Sequence, residues 1–296
     1  MAQDFVRRFM FEKLAVRGEI VRLEHSYQSV LERHPYPPVL AALLGTAMAA
    51  VSLLGTTIKY QGKLILQIQG KGPANLLVVE YDSEGHIRGL VDWQQQQLLD
   101  SDIRSLFSQG HMAITVVPTG SDSAQDKANR YQGIVELDDA SLAGCLEHYF
   151  RQSEQLATSL YLVADENKVA GFMLQQMPSS PLNDDDWQRL KLLTETLSDE
   201  ELFNLDVEQL LHRLYGEDDI RLFESEPVNF QCTCSIERIE NMLRSLGKAE
   251  VEDVLQEQGK IEVACEYCNK KYQLDAVDVA QLFTEVESGY HSTTRH

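Results

Sequence analysis

Cys232 and Cys234 stand in Gln-Cys-Thr-Cys-Ser, Cys265 and Cys268 in Ala-Cys-Glu-Tyr-Cys-Asn, and 30 residues separate the two pairs. Four thiols in two close pairs around a short insert can converge on one tetrahedral Zn²⁺, and the polypeptide must then fold around that point. The first pair is one residue tighter than the Cys-x-x-Cys of an ordinary zinc ribbon. Its short bite also brings its two sulfurs within reach of a local, strained disulfide, so the metal site can be oxidised within each pair. The plainer reading of the spacing is a permanent structural zinc site. A cluster of four reduced thiols without metal is an oxidation liability.

Around the second pair, Lys260-Ile261-Glu262-Val263 alternates as a strand does, and Lys270-Lys271-Tyr272-Gln273-Leu274 reads as its return partner. Cys265 and Cys268 then bracket the turn of a hairpin. Asp275 suits the N-cap of a closing helix with Asp278 at its third position. Ser235 suits the N-cap of another, with Ile236, Ile239, Leu243 and Leu246 on one face and Gly247 as its stop.

At 296 residues the chain can bury a full core and a smaller unit besides, and 43% hydrophobic with 24% charged residues is a folded composition. The net charge of −20 argues against nucleic acid, whose phosphates need a basic surface. The cysteine region shares this character: residues 227–296 hold 12 acidic and 7 basic residues. Five cysteines, with Cys145 alone, do not form a secreted disulfide framework, and the N-terminus lacks the apolar run of a secretory signal. Val39 to Leu54 is almost wholly small or apolar. Its 16 helical residues rise only about 24 Å, short of a ~30 Å hydrocarbon core, and Pro37-Pro38 at its start fits an internal helix. No membrane partner and a cytoplasmic location are expected.

Three parts follow from the pattern. Residues 1–179 mix helices and strands, with strands over 63–69, 74–80 and 111–117, a turn and flanking strands about 167–174, and turn signals at Gly70, Gly72-Pro73 and Ser83-Glu84-Gly85. Helical pattern bounded by Asp139 and Ser153 falls between, giving an α+β domain built mainly on antiparallel strands. Residues 180–229 are expected to form an acidic, amphipathic helical linker: from Ser180 to Glu226 there are 14 acidic and 4 basic residues. Leu190, Leu193, Leu197, Leu202, Leu205, Leu210, Leu211 and Leu214 recur at helical spacing, and Asp184 and Ser198 supply caps, the latter with Glu201 at the capping-box position. Such short helices must be held by packing their leucine faces on something else, and self-repulsion makes that packing easy to lose. Residues 230–296 form a small zinc domain built on the four clustered cysteines.

The two cysteine pairs at this separation, at the end of a chain of this size, resemble the redox-regulated holdase chaperones of the 33-kDa heat-shock family. Gly70-Lys71-Gly72-Pro73, Gly85-His86-Ile87-Arg88-Gly89, Tyr131-Gln132-Gly133-Ile134-Val135 and Tyr149-Phe150-Arg151-Gln152-Ser153-Glu154-Gln155 extend the resemblance along nearly the whole chain. The four cysteines correspond one for one. The resemblance implies that Cys232, Cys234, Cys265 and Cys268 hold one Zn²⁺ in a reduced, inactive form. Oxidation to Cys265–Cys268 and Cys232–Cys234 disulfides would release zinc, unfold the C-terminal domain and loosen the linker. Leu190, Leu193, Leu197, Leu202 and Leu205 are then the expected client-binding surface for unfolding proteins, and a homodimer is the expected oxidised form. Cys145 matches no family motif and reads as a buried small hydrophobe.

Two other functions remain open on the residues alone. A thiol-disulfide oxidoreductase would use Cys-x-x-Cys, but at the start of a helix after a strand rather than in a hairpin. An adaptor with a structural zinc finger would bind a folded partner and ignore peroxide. Hydrolytic and phosphate chemistry lacks its motifs: no Walker loop, Gly-x-Ser-x-Gly or His-Glu-x-x-His occurs. His291 and His296 lie in a C-terminal tail expected at the surface.

Overall fold

The computed structural model describes residues 3–57, 61–94, 102–118, 131–178 and 184–288. The chain forms two compact units, Met1–Gln231 and Cys232–His296. Helices and sheets occur in both, so the fold is α+β as the pattern predicts. The tail carrying His291 and His296 lies outside the described residues.

The first unit has two sheets. Strands β1 (Phe5–Phe11), β2 (Val16–Leu23), β8 (Thr158–Ala164), β9 (Val169–Gln176) and β10 (Ile220–Pro227) form an antiparallel sheet in the order β10-β1-β2-β9-β8. Strands β3 (Gly62–Gln69), β4 (Ala74–Asp82), β5 (His86–Trp93), β6 (His111–Pro118), β7 (Tyr131–Glu136) and the two-residue β11 (Asn229–Phe230) form the other, ordered β11-β5-β4-β3-β6-β7. Helix α1 (His25–Leu31) leads into α2 (Pro38–Thr57), the helix expected from the apolar run. By length and composition α2 would suffice to cross a membrane, yet 67% of its apolar window is buried inside the unit. Its small residues explain the close fit: Ala47, Ala49 and Ala50 are fully buried, and a Cβ on Gly55 would stand 2.3 Å from the Tyr81 ring. Helix α3 (Ile103–Leu106) and α4 (Leu142–Tyr149) complete this core, with Ser141 rather than Asp139 as the cap of α4.

The acidic stretch belongs to this unit. Helices α5 (Asp184–Thr194), α6 (Asp199–Asn204) and α7 (Val207–Tyr215) lay their leucines on Phe9, Phe11, Ile20 and Phe172 of the first sheet, making a second core. Ser198 caps α6 in a full capping box with Glu201. The Arg22 guanidinium donates to the carbonyls of Leu202 (2.7 Å) and Leu205, satisfying the end of α6 from β2. The stretch is not helical throughout. After α7 it becomes β10, which closes the sheet against β1, so 220–227 departs from the expected helical linker. The reason is a partner far away in sequence: β1 supplies an open edge that a charged, weakly alternating segment would not select by itself.

The second unit contains α8 (Ile236–Leu246), α9 (Lys248–Gln258), the hairpin β12 (Ile261–Ala264) and β13 (Lys271–Leu274), and α10 (Ala276–Ser288). Eight residues are buried in its core among those described, including Ile239, Leu243, Tyr272 and Leu282. The expected apolar face of α8 is only half used. Ile239 and Leu243 are buried, whereas Ile236 and Leu246 are 37% and 50% exposed, because a unit this small offers no second layer to cover them.

Candidate metal centre

Cys232 and Cys234 lie on the chain entering α8. The Ser235 hydroxyl accepts from the Arg238 amide at 3.4 Å, and the Arg238 guanidinium reaches back to Thr233 Oγ1 at 2.8 Å. The residue between the two cysteines is thereby pinned to the first turn, and Cys234 sits just ahead of the positive end of the helix dipole. Cys265 and Cys268 occupy the β12–β13 turn. The Cys265 amide donates to the Lys270 carbonyl at 2.9 Å and the Asn269 amide to the Cys265 carbonyl at 2.7 Å. Asn269 takes φ 57°, a left-handed conformation that asparagine tolerates well. The tight turn aims the amides of Tyr267 and Cys268 at the Cys265 sulfur, and the Lys270 amide at that of Cys268.

These two elements bring all four sulfurs within 4.8 Å of one another. Cys234 Sγ lies 3.4 Å from Cys268 Sγ, and Cys232 Sγ lies 3.7 Å from Cys265 Sγ. Sulfurs bound at ~2.3 Å to a tetrahedral zinc stand about 3.8 Å apart. The donor set, its spacing and the amides aimed at sulfur all fit a thiolate-bound metal ion.

The thiols differ among themselves. Burial pushes Cys265 up, and pushes Cys268 up to about 12. Burial would raise Cys234 too, but the Tyr272 hydroxyl, 3.1 Å from its sulfur, and the neighbouring sulfurs bring it down to about 7. The Tyr272 hydroxyl is raised in turn, first by that hydrogen bond. A cation bound among the four sulfurs would favour the thiolate form of all of them. Spacing alone does not single out Tyr272. On β13 it shares the buried face with Leu274, and only its hydroxyl distinguishes it from an ordinary core position.

The leucines expected to meet clients are elsewhere. Leu190, Leu197 and Leu202 are buried and Leu193 and Leu205 partly buried, all in the second core of the first unit. Cys145 is fully buried on α4, its thiol pushed up by burial.

The family model described as Hsp33 protein matches residues 4–275 of the chain. The chain belongs to the Hsp33 family. It is 45% identical over 293 residues to the 33 kDa chaperonin of Shewanella frigidimarina (strain NCIMB 400), covering 99% of each. It is 45% identical over 295 residues to that of Shewanella baltica (strain OS155 / ATCC BAA-1091), covering 100% of each. Its fold is similar to the crystal structure of the 33 kDa chaperonin (heat shock protein 33 homolog) from Thermotoga maritima, with TM-score 0.80 and 22% identity over 97% of this chain and 100% of that one. Membership makes the chain a molecular chaperone rather than an enzyme, with unfolded proteins as its partners.

Proposed function

We propose that this chaperone is a holdase switched by the oxidation state of Cys232, Cys234, Cys265 and Cys268. In the reduced chain the four sulfurs hold one Zn²⁺, which when bound keeps them as thiolates and ties the second unit together. The observation that carries the reading is the convergence of the four sulfurs on a unit with so small a core of its own. The oxidant is a peroxide. Cys265 sulfur attacks one peroxide oxygen, giving a sulfenic acid and releasing the other oxygen as water; Cys268 sulfur then displaces the second as water, closing the disulfide. Two thiols and one peroxide give one disulfide and two waters. Two of the four donors are thereby spent, and two sulfurs do not hold a structural metal.

Without that tie the second unit unfolds, Cys232 and Cys234 close their own disulfide, and the acidic helices loosen. Leu190, Leu193, Leu197, Leu202 and Leu205 then become available to clients, while the surrounding carboxylates keep the complex dispersed. The oxidised form is a homodimer, and the reducing cytoplasm returns the chain to rest. Nucleic acid and membranes are not partners, in keeping with the acidic balance and the burial of α2.

The test is zinc content measured together with suppression of thermal aggregation of citrate synthase, before and after peroxide. One zinc per reduced chain, lost as suppression appears, is the expected result. Zinc retained with no gain of suppression would leave a permanent structural finger, as in an adaptor. Catalytic reduction of insulin disulfides would instead favour an oxidoreductase, against which the hairpin setting of Cys265 and Cys268 speaks.

A further inference from the structure

Strand β10 is a loose cover on a firm edge. None of its eight side chains is buried: Ile220 and Leu222 are partly covered, and Phe223 is 36% exposed. Its register with β1 slips between Arg7 and Phe9. Its ion pairs are solvated, Arg8–Glu226 at 2.7 Å with side chains 46% and 44% exposed and Arg221–Glu12 at 2.6 Å with 56% and 39%, and such pairs hold weakly. On its other side β1 pairs with β2 without a break from Phe5↔Arg22 to Met10↔Arg17, and it buries Val6, Phe9 and Phe11. Removing β10 therefore leaves β1 in place with an open edge, and such an edge is a template for another extended chain.

We propose that an extended segment of an unfolded client adds to the edge of β1 in place of β10. This rests on the reading that oxidation loosens the acidic stretch, of which β10 is the last part. Between it and Cys232 only buried Val228 and the two-residue β11 hold the chain to the first unit, so β11 must let go as well. The occupant's chemistry is written in the strand it replaces. Arg7 Nε donates to the Phe223 carbonyl at 3.0 Å, a contact any backbone can accept. Phe5, Phe9 and Phe11 share a core with Ile220 and Leu222, so apolar residues at alternate positions fit there. Arg8 faces Glu226, so an acidic residue beside the apolar run is favoured. In the resting chain β10 is the stand-in that keeps clients off.

The experiment uses the full chain, reduced or peroxide-oxidised, and a fluorescent peptide of the sequence Ile220–Pro227. Two further peptides carry N-methyl groups on one or the other alternate set of amides. A strand uses only one set toward its neighbour, so one methylated peptide is expected to lose about tenfold or more in affinity while the other stays within about threefold. The unmodified peptide is expected to bind the oxidised chain about tenfold tighter than the reduced one and to compete with citrate synthase. A second variant, Met10→Cys with Arg221→Cys, places thiols on opposed residues of β1 and β10, to be joined by a thioether cross-linker. It is expected to release zinc on oxidation as the parent does yet lose about tenfold in client suppression. Equal behaviour of the two methylated peptides, or undiminished suppression by the cross-linked chain, overturns strand addition and leaves the switch standing. An oxidised parent that suppresses nothing overturns both.

Discussion

Among the described residues the first unit buries 38 hydrophobic residues around α2 and 16 more beneath α5–α7, whereas the second buries eight, with Cys234 packed against them. Apolar burial grows faster than surface as a fold enlarges, so the first unit stands on packing while the second is too small to do so. Its four converging sulfurs offer another kind of tie. On the proposed function, a two-electron oxidation would erase that tie and leave the core of α2 untouched. The acidic helices lie between these extremes, well packed below and self-repelling above.

The largest expected effect tests the contrast directly. Chelation, or Cys268→Ser, removes a tie worth about 10–16 kcal/mol in small zinc domains. Loss of α8–α10 helicity is expected, with proteolysis in the second unit and the acidic stretch but not in the core around α2; a second unit that stays folded without metal would break the comparison. Next is Leu202→Ser with Leu190→Ser, each at least the ~2–5 kcal/mol of a buried leucine truncated to alanine. Hydrogen exchange in α5–α7 should quicken without oxidant, and suppression of aggregation by the oxidised chain should weaken, because two of the proposed client-binding leucines are gone. If neither changes, those helices take no part in the switch.

A third prediction concerns pH. Glu19 on β2 is 1% exposed, and burial pushes its carboxyl from the usual 4.5 up to about 8, against a hydrogen bond from Thr56 that lowers it. Between those values it is protonated when folded and ionised when unfolded. Folding thus binds a proton, and stability falls as pH rises through the window, its contribution being intact below it. Urea midpoints at pH 5 and pH 8 should differ less in Glu19→Gln than in the parent, and identical slopes would mean the native carboxyl is ionised. The smallest effect is Ser198→Ala, which removes a capping box and about 1 kcal/mol. Its exchange signature should stay within α6; a signature spreading to α5 and α7 would show the three helices opening together.

Much of this molecule was legible where local pattern and tertiary context agree. Cys-x-x-Cys between two alternating runs read correctly as a hairpin, and Ser198 with Glu201 read correctly as a helix start, because turn and cap chemistry act over a few residues. The Val39–Leu54 run read as core on a length of 16 residues, yet the helix extends over Pro38–Thr57 and is long enough to span lipid. What makes it core is that 67% of its apolar window is buried, which length does not report. What escaped depends on distant partners. Ile-Arg-Leu-Phe-Glu-Ser-Glu-Pro is a strand only because β1 waits beside it, and Tyr272 joins the metal centre only through where its hydroxyl points. The outward turn of Ile236 and Leu246 follows from the size of the unit, which no helical periodicity reports.

The pairing of β1 with β10 has a consequence for synthesis. Arg7 bonds Phe223 across 216 positions, so β1 receives one of its two neighbours long after it is itself synthesised. β2 follows within a few residues, but at roughly 5–20 residues per second β10 arrives about 10 to 40 s later. Throughout that interval the nascent chain carries the bare edge that its mature form covers, with no oxidant involved. Translation alone opens, and then shuts, the surface that oxidation is proposed to reopen.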